Sequence, residues 1–232
     1  MIHQFIFASP KPGLTEREFQ DYWKYKHAVQ FASKIPQIKQ YSICSRIAQP
    51  TDTGDPLCGG VAEIWLENET EQLASLQSPE FIEGARKDEP NWAAFWRSFA
   101  LDTDPHVLIE GPGQQNNSSA VKLFVLLKRK EGMPLDEFRS YWKEVHGPMV
   151  EGLPGIRRYG QYAVRDGAYA VGESLFDGVA TLWFDDLSAA QKALGTPELK
   201  ALVEDTKSFV NQRYIHSFLT DEYWVMGPHG YA

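Results

Sequence analysis

Two stretches of the chain, EFQDYWKYKH at residues 18–27 and EFRSYWKEVH at residues 137–146, are versions of one string. Six of their ten positions are identical, at a constant offset of 119 residues. The match continues outside the string, because Gly-Val-Ala at 60–62 recurs at 178–180 and Pro-Glu at 79–80 recurs at 197–198. The period is longer than that of a solenoid repeat. The sequence therefore predicts two domain-sized copies of one unit.

The join between the copies is marked by its composition. Residues 111–119 read GPGQQNNSS, which is polar and typical of a flexible connection. We predict the first repeat at residues 1–112, a linker at 113–120 and the second repeat at 121–232. The linker is short, so the two repeats are expected to lie side by side.

Each copy predicts the same order of elements. Phe19, Trp23 and His27 recur at helical spacing, and Thr15 with Glu18 forms a capping-box signature that opens this helix. Short apolar runs predict strands. Strand–helix–strand–strand–helix–strand is the ferredoxin-like pattern, and an open four-stranded sheet leaves one face and its edges uncovered. We therefore expect an α+β fold in which two βαββαβ repeats form a barrel within one chain. The predicted strands are 2–8, 40–44, 60–66, 98–101 with 106–109, 121–127, 158–164, 178–184 and 217–219 with 223–226.

Composition and charge argue against several classes of partner. The net charge of −8 disfavours nucleic acid and anionic membrane surfaces. No run of about 18 apolar residues predicts a membrane span, and the first residues do not read as a secretion signal. Cys44 and Cys58 are too few for a disulfide framework, so we interpret them as reduced thiols of a cytoplasmic protein.

The motifs that usually bind cofactors are missing from the sequence. It has no glycine-rich nucleotide motif, no His-x-x-x-His or Cys-x-x-Cys pair and no Gly-x-Ser-x-Gly elbow. We therefore predict no cofactor and no metal, although a histidine that ligates haem would carry no mark in the sequence.

The order Phe-x-x-Tyr-Trp-x-x-x-His, then Pro-x-Ile-x-x-Tyr, then a last strand ending in Gly-Pro, resembles the EthD-like group of the dimeric α+β barrel superfamily. The resemblance covers nearly the whole chain, twice. The second copy fits better, because His146 is followed by Gly147-Pro148, whereas His27 is followed by Ala28-Val29.

The resemblance implies a fold more firmly than a reaction. Members are usually short chains that dimerise, so a tandem chain resembles a fused dimer, and the fused unit could pair again as a homodimer. Better-understood relatives in the superfamily are cofactor-free isomerases, cyclases, decarboxylases, dehydratases and monooxygenases of aromatic or ring-shaped substrates, and others bind haem. Fold alone does not decide among these activities.

His146 and His27 are the first catalytic candidates, since a histidine titrates near neutral pH and moves protons. The resemblance implies that this helix-end histidine often points into the barrel cavity. The structural alternative is a cap for the helix C-terminus. His146 ranks first because it keeps the family context. Tyr159 and Tyr41, near the starts of strands, could hydrogen-bond an enolate or phenolate oxygen, or could form cross-strand aromatic pairs.

Other residues are candidates for substrate binding. His3 stands in an otherwise apolar strand and could face a cavity or the outer surface. His216 precedes the last strand where the first copy has Arg97, which indicates that the copies have diverged and that only one cavity is active. Large rings beside the catalytic histidines could line a cavity, although core packing is the commoner role; they are Tyr141, Trp142, Tyr22 and Trp23.

Two functional hypotheses follow from these residues. The first is a cofactor-independent lyase or isomerase, in which a histidine moves a proton on an aromatic, phenolic or other cyclic small molecule. It covers dehydration, decarboxylation, cyclisation and isomerisation. The second is a non-catalytic binding or accessory protein of a degradation or biosynthetic pathway. A haem-dependent or oxygen-using enzyme is a third reading.

Overall fold

The computed structural model describes residues 1–111 and 119–227. Most of the predicted linker, residues 113–118, and the last five residues, 228–232, lie outside the described residues. The prolines of the two Gly-Pro pairs that end the last strands, Pro112 and Pro228, also lie outside them. Within the described ranges, no helix is both long and apolar enough to cross a membrane.

The first repeat has the predicted order of elements. They are β1 (Ile2–Ala8), α1 (Glu16–Tyr22, then a π-helical turn Trp23–His27, then Ala28–Gln30), β2 (Ile38–Arg46), β3 (Gly60–Leu66), α2 (Glu69–Gln77), α3 (a π-helical turn Glu80–Ala85, then Arg86–Asp88) and β4 (Phe99–Ile109).

The second repeat follows the same order. Its elements are β5 (Val121–Leu127), α4 (Leu135–Tyr141, then a π-helical turn Trp142–His146, then Gly147–Met149), β6 (Arg158–Val164), β7 (Gly178–Phe184), α5 (Leu187–Leu194), α6 (Pro197–Phe209) and β8 (His216–Met226).

The last strand of each repeat differs from the prediction. The sequence predicted two short strands in each place, but β4 and β8 are single strands of 11 residues. Asp102 and Asp221 fall in the two gaps between the predicted short strands. In the structure Gln4 of β1 donates a hydrogen bond to Asp102 (2.7 Å), and Asp221 pairs with Ser45 of β2, so both acidic residues lie within the ladder.

All strands pair antiparallel, in the closed order β1-β3-β2-β8-β5-β7-β6-β4, which confirms the predicted α+β barrel of two ferredoxin-like repeats. The chain divides into two compact units. Among the described residues, one unit comprises 1–102 and 220–227, and the other comprises 103–111 and 119–219. Each unit thus takes its fourth strand from the other repeat: the end of β8 pairs with β2, and the end of β4 pairs with β6.

In the first unit, the core lies between the sheet and the helices. Trp23 of α1 packs on the sheet at Gly60, where an added Cβ would lie 3.3 Å from the indole and 2.9 Å from the Cys44 carbonyl oxygen. In the second unit, an added Cβ at Gly178 would overlap the indole of Trp142. A tryptophan therefore needs a glycine beneath it. This explains why the Gly-Val-Ala triplet and the Tyr-Trp pair were kept together in both copies.

Candidate active site

A Tyr–Asp–His array forms between two helices of the first repeat. Asp88, at the end of α3, accepts a hydrogen bond from the Tyr22 hydroxyl (2.8 Å) and lies 2.9 Å from Nδ1 of His27. His27 and Asp88 are both buried. Tyr22 and His27 are five residues apart: Tyr22 directly precedes the π-helical turn Trp23–His27, and His27 ends it. A π turn places residues i and i+5 on one side of the helix, whereas a regular α-helix does not. The turn therefore brings both side chains to one carboxylate.

The second repeat contains the same array. Tyr141 donates a hydrogen bond to Asp205 (2.8 Å), and Nδ1 of His146 lies 2.8 Å from the other carboxylate oxygen of Asp205. A π-helical turn, Trp142–His146, again separates the tyrosine from the histidine. The array is thus a duplicated feature of the fold.

Burial and hydrogen bonding define the protonation of the array. Burial lowers the pKa of His27 below 6.5, and it does so more strongly than Asp88 raises it. The pKa of His146 is lowered for the same reason, against the effect of Asp205. Burial alone would raise the pKa of Asp88, but hydrogen bonds from Asn91, His27 and Tyr22 hold it below 3.8. A neutral His27 therefore carries its proton on Nδ1, facing the Asp88 carboxylate, and keeps Nε2 as its basic nitrogen.

A cavity of about 100 Å³ adjoins His27 in the first unit. Trp23, Trp92, Phe81 and Phe95 supply aromatic wall, and Tyr41 of β2 lies in the same wall. The structure thus brings together three residues that the sequence singled out, His27, Trp23 and Tyr41. Burial raises the pKa of the Tyr41 phenol well above its usual 10, so its hydroxyl stays protonated and able to donate a hydrogen bond.

Five alanines line the cavity of the first repeat, and three of them, Ala8, Ala85 and Ala93, have larger counterparts in the second. Ala8 and Leu127 are equivalent because each ends its strand opposite the glycine of the Gly-Val-Ala triplet. Ala93 and Val210 are equivalent because each forms a lone bridge, to Pro10 and Arg129 respectively. Ala85 and Leu202 each stand three residues before the aspartate of the array.

The larger counterparts lie in the core of the second repeat. Leu127, Leu202 and Val210 are all buried there. Gln161 adds a polar contact, since its amide donates hydrogen bonds to the Tyr159 hydroxyl (2.9 Å) and to the Trp142 carbonyl oxygen (2.8 Å). Tyr159 is buried, which raises its pKa above the usual range. The second repeat therefore has larger buried side chains at three positions where the first has alanines, while His146 itself is slightly more exposed (8%) than His27 (5%).

The remaining predicted binding residues lie elsewhere. Tyr22 and Tyr141 hold the aspartates of the two arrays. His3 lies on the other face of β1 from Ile2, Ile6 and Ala8, which pack towards the helices. It stacks on Trp65 (4.2 Å between ring centroids), with Nε2 3.0 Å from Glu63.

His216, the fourth of these predicted binding residues, begins β8 and is half-buried. It meets the ring of Phe176 edge-on, with 5.6 Å between ring centroids. Burial lowers its pKa below 6.5. His216 belongs to the second unit, whereas every residue of the cavity beside His27 belongs to the first.

Asp88, Asp205 and Glu89 were not identified from the sequence. Glu80 and Glu198 align at an offset of 118, but Asp88 and Asp205 stand 117 apart. The π-helical turn Glu80–Ala85 inserts one residue into α3, whereas α6 is a continuous α-helix. The aspartates are therefore equivalent in space but out of register in the sequence. A search for acidic residues that allowed a one-residue shift would have found them.

One group of side chains in the described residues has the geometry to hold a metal ion. Ligand atoms of Cys44, Glu63 and Glu222 all lie within 4.8 Å of one another. The Cys44 thiol donates a hydrogen bond to Glu63 (3.1 Å). These residues lie on the same face of the sheet as His3, away from the cavity beside His27.

Comparison with solved structures finds the same fold in proteins of low sequence similarity. An anthrone oxidase-like protein matches with a TM-score of 0.70, at 11% identity, over 100% of this chain and 95% of that chain. A Fusobacterium nucleatum protein provisionally named a monooxygenase matches with a TM-score of 0.61, at 8% identity, over 98% and 95% of the two chains. At such identities the likeness concerns the fold alone.

A domain profile identifies the family. An EthD family protein from Bacillus halodurans is 25% identical over 45% of this chain and 99% of its own, with a TM-score of 0.39. Among curated proteins, none matches this chain. The profile of the EthD domain matches residues 11–95 and again residues 130–213. The chain therefore belongs to the EthD domain family, of which it carries two copies in tandem.

Proposed function

We propose that this protein is a cofactor-independent lyase or isomerase that moves a proton on a small aromatic, phenolic or other cyclic molecule, with His27 as the base. The observation that carries the proposal is the coincidence of an oriented histidine and an apolar cavity. His27 is held by Asp88 and lines a cavity of about 100 Å³ beside Tyr41.

The array suits proton abstraction next to a carbonyl group or from a phenol. Asp88 fixes Nδ1–H of His27 and thereby makes Nε2 the proton acceptor, as a carboxylate does for the histidine of a catalytic triad. The lowered pKa keeps the imidazole neutral, and therefore basic, at pH 7. The Tyr41 hydroxyl can stabilise the oxygen on which negative charge develops. Isomerisation, dehydration, decarboxylation and cyclisation can all use such an intermediate.

The size of the cavity favours a single ring. The cavity of about 100 Å³ is smaller than the engineered apolar cavity of about 150 Å³ that binds benzene, so it limits the ligand to one six-membered ring at most, with substituents towards the opening at the half-exposed Phe95. The names of the structural neighbours, a monooxygenase and an anthrone oxidase-like protein, fit oxidation or an aromatic ligand in those chains.

The test is hydrogen–deuterium exchange at the carbons next to the carbonyl of cyclohexanone, followed by NMR in D₂O. We expect the protein to accelerate exchange and His27→Gln to reduce the enzymatic rate by about 10²–10⁴-fold. His146→Gln, the matched change in the second repeat, should leave the rate unchanged. Equal rates for wild type and His27→Gln would refute His27 as the base.

An accessory binding protein is the second candidate function. The same Tyr–Asp–His array recurs in the second repeat, where larger side chains replace three alanines of the cavity wall, so the array can hold two helices together without any chemistry. The two functions separate in one titration. Quenching of tryptophan fluorescence by 4-nitrophenol, with no exchange of cyclohexanone, would favour the accessory protein.

A further inference from the structure

Glu89 brings a second acidic group to the cavity of the first repeat. It follows Asp88 directly and lines the same cavity as His27 and Tyr41. Its side chain is 20% exposed, and its Oε2 lies 3.3 Å from Nη1 of Arg86. The Arg86 guanidinium in turn stacks over the Phe95 ring, at 4.2 Å from the centroid. The carboxyl is thus placed among aromatic rings, with one cation beside it.

Glu89 is not part of the duplicated scaffold. The residue after Asp205 in the second repeat is Thr206, which carries no charge. Burying a carboxyl among aromatic rings costs free energy, and the second repeat shows that the fold does not require one at this position. An ionisable group retained in a cavity at such a cost is a candidate functional group.

We propose that Glu89 acts as a neutral carboxylic acid and, together with the Tyr41 hydroxyl, hydrogen-bonds the oxygen of the substrate, so that the pair stabilises the enolate or phenolate that His27 generates. The inference rests on the proposed function and extends it. It narrows the ligand to a cyclic ketone or phenol whose oxygen lies between these two donors.

Proton abstraction from a cyclic ketone needs no reactant other than the ketone and His27. Nε2 of His27 accepts the proton from the carbon next to the carbonyl group. The electron pair of the C–H bond forms a carbon–carbon double bond, and the carbonyl π pair moves onto oxygen. Glu89 and Tyr41 donate hydrogen bonds to that oxygen. Return of the proton from His27, or of a deuteron taken from D₂O, restores the ketone.

The groups around Glu89 act on its protonation in opposite directions. Burial raises the pKa of Glu89 above 4.5, Asp88 raises it further, and Arg86 opposes both. His27 and Tyr41 are the other titratable groups of the cavity wall. The rate then requires a protonated Glu89 and a neutral His27. Its pH profile should be a bell, with an acid limb from His27 below 6.5 and an alkaline limb from Glu89 above 4.5.

Two substitutions separate the carboxylic acid from a mere space-filling side chain. Glu89→Gln keeps an N–H donor but cannot titrate, so cyclohexanone exchange should stay within about tenfold of wild type and lose its alkaline limb. Glu89→Met keeps the length without a donor and should lower the exchange rate by about 10²–10³-fold. Thr206→Val is the matched control and should have no effect. Arg86→Gln should move the alkaline limb to higher pH.

Binding of 4-nitrophenol gives a readout that does not depend on turnover. The yellow phenolate mimics the enolate, so wild type should bind the phenolate at lower pH than Glu89→Met does. Exchange that depends on His27 but is equal in wild type and Glu89→Met, with the alkaline limb intact, would overturn the role of Glu89 alone. Exchange that does not depend on His27 would overturn the proposed function itself.

Discussion

The two repeats carry the same Tyr–Asp–His array in different surroundings. In the first, alanines at 8, 85 and 93 border a cavity beside His27. In the second, leucines at 127 and 202 and a valine at 210 are buried at the equivalent positions. The difference shows which features the fold needs and which a function needs. The array and the tryptophan on its glycine are common to both copies, whereas Glu89 and the cavity of about 100 Å³ that it lines are features of the first.

The comparison also explains why His146, but not His27, is followed by a glycine. His146 has the Gly147-Pro148 context of the family, and Gly147 is needed there because an added Cβ would lie 2.8 Å from Leu108 and 3.0 Å from Gln161. Ala28 stands at the corresponding position of the first repeat and is buried. Gly147 therefore indicates close packing next to His146 and not space for a ligand.

The largest expected difference between the two repeats follows from changing the aspartate of each array. Asp88→Asn would leave the geometry nearly intact but remove the acceptor that fixes the tautomer of His27. We expect the rate of cyclohexanone exchange to fall by about 10³–10⁴-fold. Asp205→Asn should leave the rate unchanged. Equal losses in the two variants would mean that both repeats take part in the chemistry.

A smaller side chain in the core of the second repeat should leave a cavity there, as in the first repeat. Leu202→Ala recreates Ala85 of the first repeat, and we expect a loss of about 2–5 kcal/mol in the free energy of unfolding, because a buried leucine leaves a cavity. Urea denaturation measures it. Val203→Ala, at a neighbouring position that is 51% exposed, is the control and should cost less than about 0.5 kcal/mol. A small cost at Leu202 would show that the second repeat is not tightly filled.

The smallest expected effect is on the pH dependence of stability. The folded-state pKa values of His27 and His146 lie below 6.5, so the unfolded chain binds more protons near that pH. The stability that the two histidines contribute is fully present above pH 6.5. It is lost as the pH falls through their folded-state pKa values. The pKa of Glu89 is raised in the folded state, so its effect on the free energy of unfolding is opposite: Glu89 lowers this free energy as the pH rises above 4.5.

Urea denaturation between pH 8 and pH 5 tests this linkage. We expect the free energy of unfolding to fall less steeply towards pH 5 in the double variant His27→Gln/His146→Gln than in wild type. An unchanged slope would mean that neither histidine is buried in its neutral form.

The fold could be predicted from the sequence because its signals are local and repeated. The string at 18–27, the capping box at Thr15 and the strand pattern each specify nearby structure, and the duplication supplied every signal twice. The prediction divided the long strands β4 and β8 at gaps that contain Asp102 and Asp221. Whether an acidic residue interrupts a strand depends on its partner across the sheet, which a local pattern does not contain.

The site could be predicted only in part. His27 and Tyr41 were chosen as candidates by residue type and position, and the structure places both in the wall of one cavity. Asp88 was not, because a single inserted residue in α3 shifts it out of register with Asp205. The cavity depends on the combined volume of side chains from β1, α3 and the segment after it, namely Ala8, Ala85 and Ala93, which lie far apart in the sequence. No local pattern carries that information.

A crystal structure of the full chain soaked with 4-nitrophenol tests the central claim most directly, because it reports which repeat receives a ring. We predict one bound ring in the first repeat, between Trp23, Trp92 and Tyr41, with its oxygen within hydrogen-bond distance of Nε2 of His27 or of the Tyr41 hydroxyl. A ring bound beside His146, with the cavity of the first repeat empty, would contradict the account.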